Sequence, residues 1–192
     1  MSSVISPGSS LGGFDLESAD LGFNARGGFD IFGSPNGVNT ISIGEDGSPD
    51  LGDDFIFGGS AGDAFLSGAG NDVLIGGAGD DFLDGGAGDD VIIGGAGDDV
   101  IIGGDGADNL RGGDGADVFV ISGIDGELPS GVDVISDFSD SEDLLVLQDV
   151  GGVAEYDAHT GDVTVDGHLI ANIGEGLDIT VVDQGNGNFT LL

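Results

Sequence analysis

Between residues 49 and 120 the apolar positions of the chain recur every nine residues. The copies read PDLGDDFIF (49–57), GGSAGDAFL (58–66), SGAGNDVLI (67–75), GGAGDDFLD (76–84), GGAGDDVII (85–93), GGAGDDVII (94–102), GGDGADNLR (103–111) and GGDGADVFV (112–120). Position 8 is large and apolar throughout: Ile56, Phe65, Leu74, Leu83, Ile92, Ile101, Leu110 and Phe119. Position 6 is always Asp, and glycine recurs at positions 1, 2 and 4. Self-similarity of this kind marks stacked rungs that cannot bury an apolar face alone. The glycine-rich hexapeptide is too poor a helix former to be helical, and its glycines admit positive φ and close approach of carbonyls. The last three residues, β-branched or aromatic, predict a short strand. Turn, strand, turn, strand makes one coil from two repeats, and successive coils stack as parallel strands ~4.8 Å apart. Side chains alternate across a strand, so position 8 is expected between two sheets and positions 7 and 9 outside. The expected fold is all-β, a right-handed parallel β-roll (a two-sheet solenoid) with a β-rich C-terminal cap.

The outward positions predict apolar outer faces. One sheet would show Phe55, Phe57, Val73, Ile75, Val91 and Ile93 before turning polar at Asn109 and Arg111. The other would show Ala64, Leu66, Phe82, Asp84, Val100, Ile102, Val118 and Val120. Such a patch is expected either to be covered by a flanking segment or to serve self-association through the sheet face or the solenoid ends. Residues 1–48 carry no nonapeptide but repeat GGFD at 12–15 and 27–30, and read as a cap or assembly segment. Residues 121–192 read as short strands between Gly and Asp turns, with AHTG (158–161) closing a hairpin. The expected organisation is therefore 1–48, the roll at 49–120, and a capping and secretion-signal region at 121–192.

Charge changes the picture. The chain has 192 residues and 37 acidic side chains against Arg26 and Arg111, a formal net charge of −35. Such a chain repels nucleic acid and anionic membrane surfaces and attracts cations. No segment approaches the ~18 consecutive apolar residues of a membrane span, so no membrane insertion is expected. With 39% apolar residues at fixed positions it is not simply a disordered polyanion. Order conditional on a counterion is the better expectation. Cysteine is absent. The opening MSSVISPGSSLGG lacks the basic and apolar regions of a secretory signal, so an export address is expected elsewhere.

In the predicted stack, aspartates eighteen residues apart face each other at ~5 Å, a repulsion of roughly 3 kcal/mol per pair at an effective dielectric of ~20. A divalent cation between them reverses that sign. The pairs run Asp54–Asp72–Asp90–Asp108 along one edge and Asp63–Asp81–Asp99–Asp117 along the other, each internal Asp bridging two ions. The remaining candidate donors are turn carbonyls: those of Gly76, Gly77, Ala78, Gly85, Gly86, Ala87, Gly94, Gly95, Ala96, Gly103 and Gly104. Donors that are all oxygen select hard ions. Magnesium keeps its waters and a strict octahedron, whereas calcium accepts six to eight oxygens in looser geometry, so Ca2+ is the expected ion. Asp80, Asp89 and Asp98 at position 5 are expected to point to solvent.

The nonapeptide GGxGxDxUx resembles that of the RTX (repeats-in-toxin) hemolysin-type family, and GVDVISDFSDSEDLLVL (131–147) resembles the segment that commonly follows such repeats. Ala61, Ser67 and Pro49–Leu51 depart from the pattern. The resemblance implies a parallel β-roll binding calcium through position-6 Asp side chains and turn carbonyls, and an extracellular or cell-surface protein exported by a type I system. His159 and His168 are the only histidines, no HExxH, GxSxG or P-loop occurs, and 48 residues before the repeats are too few for a catalytic domain of the kind joined to such rolls. The expected role is not enzymatic: a secreted structural component of a surface layer, matrix or filament that folds on binding calcium. The alternatives are a calcium-dependent binding module for another secreted protein or a glycan, and a detached export and folding domain of a separate effector.

Overall fold

A computed structural model describes residues 52–123 and 127–192 in full, together with the backbone of three strands nearer the N-terminus. Those three are β1 (Asp20–Phe23), β2 (Phe29–Phe32) and β3 (Thr40–Ser42). The rest of the expected N-terminal cap or assembly segment lies outside the described residues. The described residues form strands and turns, with no helix.

The repeats supply β4 (Phe55–Gly59), β5 (Ala64–Leu66), β6 (Val73–Ala78), β7 (Phe82–Ala87), β8 (Val91–Ala96), β9 (Val100–Asp105), β10 (Asn109–Asp114) and β11 (Val118–Ser122). Downstream follow β12 (Asp133–Ile135), β13 (Leu144–Gln148), β14 (Ala154–Asp157), β15 (Asp162–Val165), β16 (His168–Asn172), β17 (Val181–Gly185) and β18 (Asn188–Leu191). Even-numbered repeat strands stack in one sheet and odd-numbered ones in the other, parallel throughout. The register is eighteen residues, as in Leu74 opposite Ile92 and Leu83 opposite Ile101. The repeats form a two-sheet parallel β-solenoid.

Within the repeats the core is built of position-8 side chains from both sheets, and it continues into the C-terminal strands through residues such as Ile135, Leu145 and Val163. Ile56, Phe65, Leu74, Leu83, Ile92, Ile101 and Phe119 are fully buried and Leu110 nearly so. Position 7 and 9 residues lie half-buried to exposed, the most open of the large apolar ones being Phe57, Phe82 and Val91. In β6 to β9 the strands are longer than the three residues expected, running on through the glycine pair into position 3. Position-1 glycine is the reason. It continues the pleat with its Cα inward and is buried, as at Gly76, Gly85 and Gly94.

The flanks extend the sheets at their edges; their strands do not lie across the outer faces. β2 adds parallel to β4 and β1 pairs antiparallel outside it, while β3 adds to β5. At the other end β12 adds parallel to β10 and β13 parallel to β11. The first sheet closes with β16, β15 and β14, the second with β18 and β17. The β14–β15 hairpin turns through Ala158–Gly161 as expected, with Gly161 at φ 77°. Each added strand covers main-chain groups that an open sheet edge would expose. Arg111 reaches Asp137 at 3.2 Å, tying the last coil to the segment after β12.

Because Ile92 is fully buried between the two sheets, Ile92→Ala is expected to cost about 2–5 kcal/mol of stability. Denaturant titration at saturating calcium checks this, and an unchanged midpoint would contradict the packing.

Candidate metal centre

The eight position-6 aspartates stand in two columns, one at each edge of the solenoid. All are at most 3% exposed. Each column is knitted by main-chain to side-chain bonds: the N–H of one Asp donates to Oδ1 of the Asp one coil on. On the first edge Asp54, Asp72 and Asp90 donate to Asp72, Asp90 and Asp108 at 2.7, 2.7 and 2.9 Å. On the second, Asp63, Asp81 and Asp99 donate to Asp81, Asp99 and Asp117 at 2.7, 2.8 and 2.9 Å. The Asp carbonyls complete the ladder by accepting from position 7 of the next coil, as in Val91 N–H to Asp72 O at 2.9 Å.

This bonding satisfies one carboxylate oxygen. The other, Oδ2, is buried without a hydrogen-bond partner in Asp81, Asp90, Asp99, Asp108 and Asp117. A buried acceptor left unsatisfied costs about 1–3 kcal/mol, and more when charged. The same unsatisfied acceptor at the same chemical position, coil after coil, points to a counter-group bound there. The glycines show where it fits. A Cβ added to Gly85 would strike Asp90 Oδ2 and lie 2.7 Å from the Gly103 carbonyl oxygen. At Gly94 the same atom would meet Asp99 Oδ2 and the Gly112 carbonyl, and at Gly76 it would meet Asp81 Oδ2 and the Gly94 carbonyl. A carboxylate oxygen and the next coil's carbonyl thus converge on the space a side chain would fill. This small, oxygen-lined cradle suits a hard cation.

The other turn residues are disposed differently. Gly77, Gly86, Gly95 and Gly104 have φ of 121°, 92°, 129° and 108°, which only glycine adopts at low cost. The Ala87 and Ala96 carbonyls accept the N–H groups of Gly70 and Gly79 at 2.9 and 2.7 Å, so these oxygens already serve the sheet. Ala78 ends β6 in register with Ala96. Ser67, at a glycine position, is fully buried, and its hydroxyl donates to the Gly85 carbonyl at 2.7 Å. In that coil a protein hydroxyl engages the carbonyl that elsewhere faces the cradle. Asp80, Asp89 and Asp98 are exposed as expected, yet their carboxylates are engaged, accepting the N–H groups of Asp98, Ala107 and Ala116 at 2.9–3.0 Å.

Among the described residues, no group of three or more His, Cys, Asp or Glu side chains is placed to hold a metal. A cage built from two carboxylates and main-chain carbonyls has no such cluster. Two further buried aspartates, Asp133 and Asp143, join the columns from outside the nonapeptides. The signal that could have found them is local: an Asp two residues before a large apolar side chain, as in Asp133/Ile135 and Asp143/Leu145.

Burial dominates the electrostatics. It pushes the Asp90 carboxyl up to about 8 against the partial relief of the Asp72 N–H, and the neighbouring charges of Asp72, Asp108 and Asp89 add to the rise. Asp99 is pushed up to about 7 and Asp81 to about 6 by the same combination, and Asp108 and Asp117 are also raised, burial leading in each.

Residues 50–119 match the family model of the RTX calcium-binding nonapeptide repeat in four overlapping copies, at 50–74, 57–92, 66–101 and 84–119. The solenoid is an RTX roll. RTX nonapeptide repeats bind Ca2+, and the buried aspartate ladder with its oxygen-lined cradles fits that ion. RTX repeats are typical of secreted proteins. No curated protein matches the chain.

For the metal-free RTX roll the sign of the pH dependence follows from these shifts. Its folded carboxyls hold protons above the unfolded value, so it is most stable below about pH 4 and loses stability as pH rises toward 8. Calcium-stripped protein is expected to gain β-structure on acidification from pH 8 to 4, read by circular dichroism. A pH-independent spectrum would contradict the raised pKa values.

Proposed function

We propose that the chain is an exported, non-catalytic structural protein whose roll folds when calcium fills the two aspartate columns. The ligands are the carboxylates of Asp54, Asp63, Asp72, Asp81, Asp90, Asp99, Asp108 and Asp117. Turn carbonyls join them, drawn from Gly76, Gly77, Ala78, Gly85, Gly86, Ala87, Gly94, Gly95, Ala96, Gly103 and Gly104. One observation carries the reading: the partnerless buried Oδ2 atoms of Asp81, Asp90, Asp99, Asp108 and Asp117, each facing a position-1 glycine. No side-chain cation is available to replace the metal there, since the chain has no lysine and its arginines are Arg26 and Arg111. Position-1 carbonyls are the strongest of the carbonyl candidates, because those of Gly94 and Gly103 face the cradles.

Calcium binding to the folded state alone stabilises it by RT ln(1 + [Ca]/Kd) per site. Several sites in one cooperative stack make folding steep in calcium. Where calcium is scarce, the net charge of −35 keeps the chain expanded; where it is abundant, the roll forms. That difference suits a chain exported unfolded by a type I system and folded outside the cell. A structural role draws support from the exposed Phe57, Phe82 and Val91 on the sheet faces, which offer apolar contact for sheet-to-sheet self-association.

Far-UV circular dichroism is expected to change from coil to β on adding millimolar calcium and to revert with chelator. Identical spectra under both conditions would defeat the reading. Size-exclusion chromatography or electron microscopy of the calcium form is expected to show ordered multimers. A monomer at all concentrations would remove the structural role and favour a binding module or a detached export domain.

A further inference from the structure

We infer that the calcium ladder continues one rung past the nonapeptides on both edges, through Asp133 and Asp143. This inference rests on the reading of the columns as calcium sites. The nonapeptide pattern stops at Val120, and the next rungs come 25 and 26 residues after their partners in place of eighteen. β12 nevertheless stacks on β10 with Val134 opposite Asn109, setting Asp133 on Asp108. β13 stacks on β11 with Leu144 opposite Val118, setting Asp143 on Asp117.

The bonds are those of the interior rungs. The Asp108 N–H donates to Asp133 Oδ1 at 3.1 Å and the Asp117 N–H to Asp143 Oδ1 at 3.0 Å. The Val134 and Leu144 N–H groups donate to the Asp108 and Asp117 carbonyls at 2.8 Å. Asp133 is 3% exposed and Asp143 8%. Ile135 and Leu145 take the inward position 8. Close stacking of the turns persists on the first edge, where a Cβ on Gly131 would strike the carbonyl of Gly106, its position-4 counterpart.

The independent sign of a ligand is on the repeat side of each gap. Asp108 and Asp117 are each 1% exposed, and their Oδ2 atoms have no hydrogen-bond partner. Each points into its own turn, where a Cβ on Gly103 or Gly112 would meet it. Were the ladder to end at the last nonapeptide, these two oxygens would need a protein donor or water, and they have no protein donor. The next rung shows what an ending looks like. Asp143 Oδ2 accepts the Ser139 N–H at 2.8 Å, so a backbone donor takes the place of a cation. Beyond Asp133 the register neighbour is Ala171, which brings no further carboxylate. The Asp108–Asp133 and Asp117–Asp143 gaps therefore each take one hard divalent ion. Those two ions clamp the C-terminal strands to the last repeats, so the cap docks only when calcium is bound.

The test compares full-length wild type with Asp133→Asn and Asp143→Asn, since Asn keeps an acceptor for the N–H of the rung below and loses the charge. Native mass spectrometry at saturating calcium is expected to show each variant one ion short of wild type, and Asp90→Asn serves as the interior control. Undiminished stoichiometry in both variants, with a loss in Asp90→Asn, would overturn the inference and leave the calcium reading standing. No calcium on wild type would remove that reading itself. Should the variants not fold, a calcium-soaked wild-type crystal decides through anomalous scattering. Peaks in the Asp108–Asp133 and Asp117–Asp143 gaps are expected. Peaks confined to gaps such as Asp72–Asp90, with water in the two end gaps, would refute it.

Discussion

Like charges stacked one coil apart, inside the protein and out of water, set the terms for this molecule. The parallel sheets need each coil directly over the last, and the bond from one Asp N–H to the next Asp Oδ1 fixes that register. The same bond pulls consecutive carboxylates together in a medium that screens them poorly. Hydrogen bonding therefore demands the geometry that electrostatics resists. In the metal-free chain the conflict surfaces as protonation: Asp90 is pushed up to about 8, by burial first and then by the charges of Asp72 and Asp108 on either side. A divalent cation between the proposed ligands would offset that repulsion.

Glycine makes room for that resolution. At position 1 a Cβ would strike the Asp Oδ2 and crowd a carbonyl from the next coil, so the two oxygens can approach each other only beside glycine. At position 2 the chain takes a positive φ within the strand, one residue before its end. The near-invariance of the glycine pair thus has two separate causes, one of space and one of torsion. Ser67 shows how narrow the first is: its hydroxyl fits only by hydrogen bonding to the Gly85 carbonyl.

The ends of the solenoid follow from the same constraint. A stack of parallel strands exposes main-chain donors and acceptors at each end, and the flanking strands cover them by pairing in the sheet plane. The outer faces keep Phe57, Phe82 and Val91 at the surface, while position 8 of both sheets is buried between them.

The period of nine determined which residues point inward, which sheet each strand joins, and that eight aspartates fall into two columns; all of that is local, because pleat and coil length are fixed by spacing. The AHTG hairpin was legible for the same reason. Tertiary structure decided what period cannot carry. Asp133 and Asp143 enter the columns across loops of irregular length; their spacing to Ile135 and Leu145 hints at them locally, and stacking in space sets them on Asp108 and Asp117. The reach of β6 to β9 through their glycines, the bonds of Asp80, Asp89 and Asp98 to the next coil, and the pairing of Ser67 with Gly85 are likewise contacts between coils. A sequence states its own spacing, but which main-chain group lies under a given oxygen is settled only when one coil rests on another.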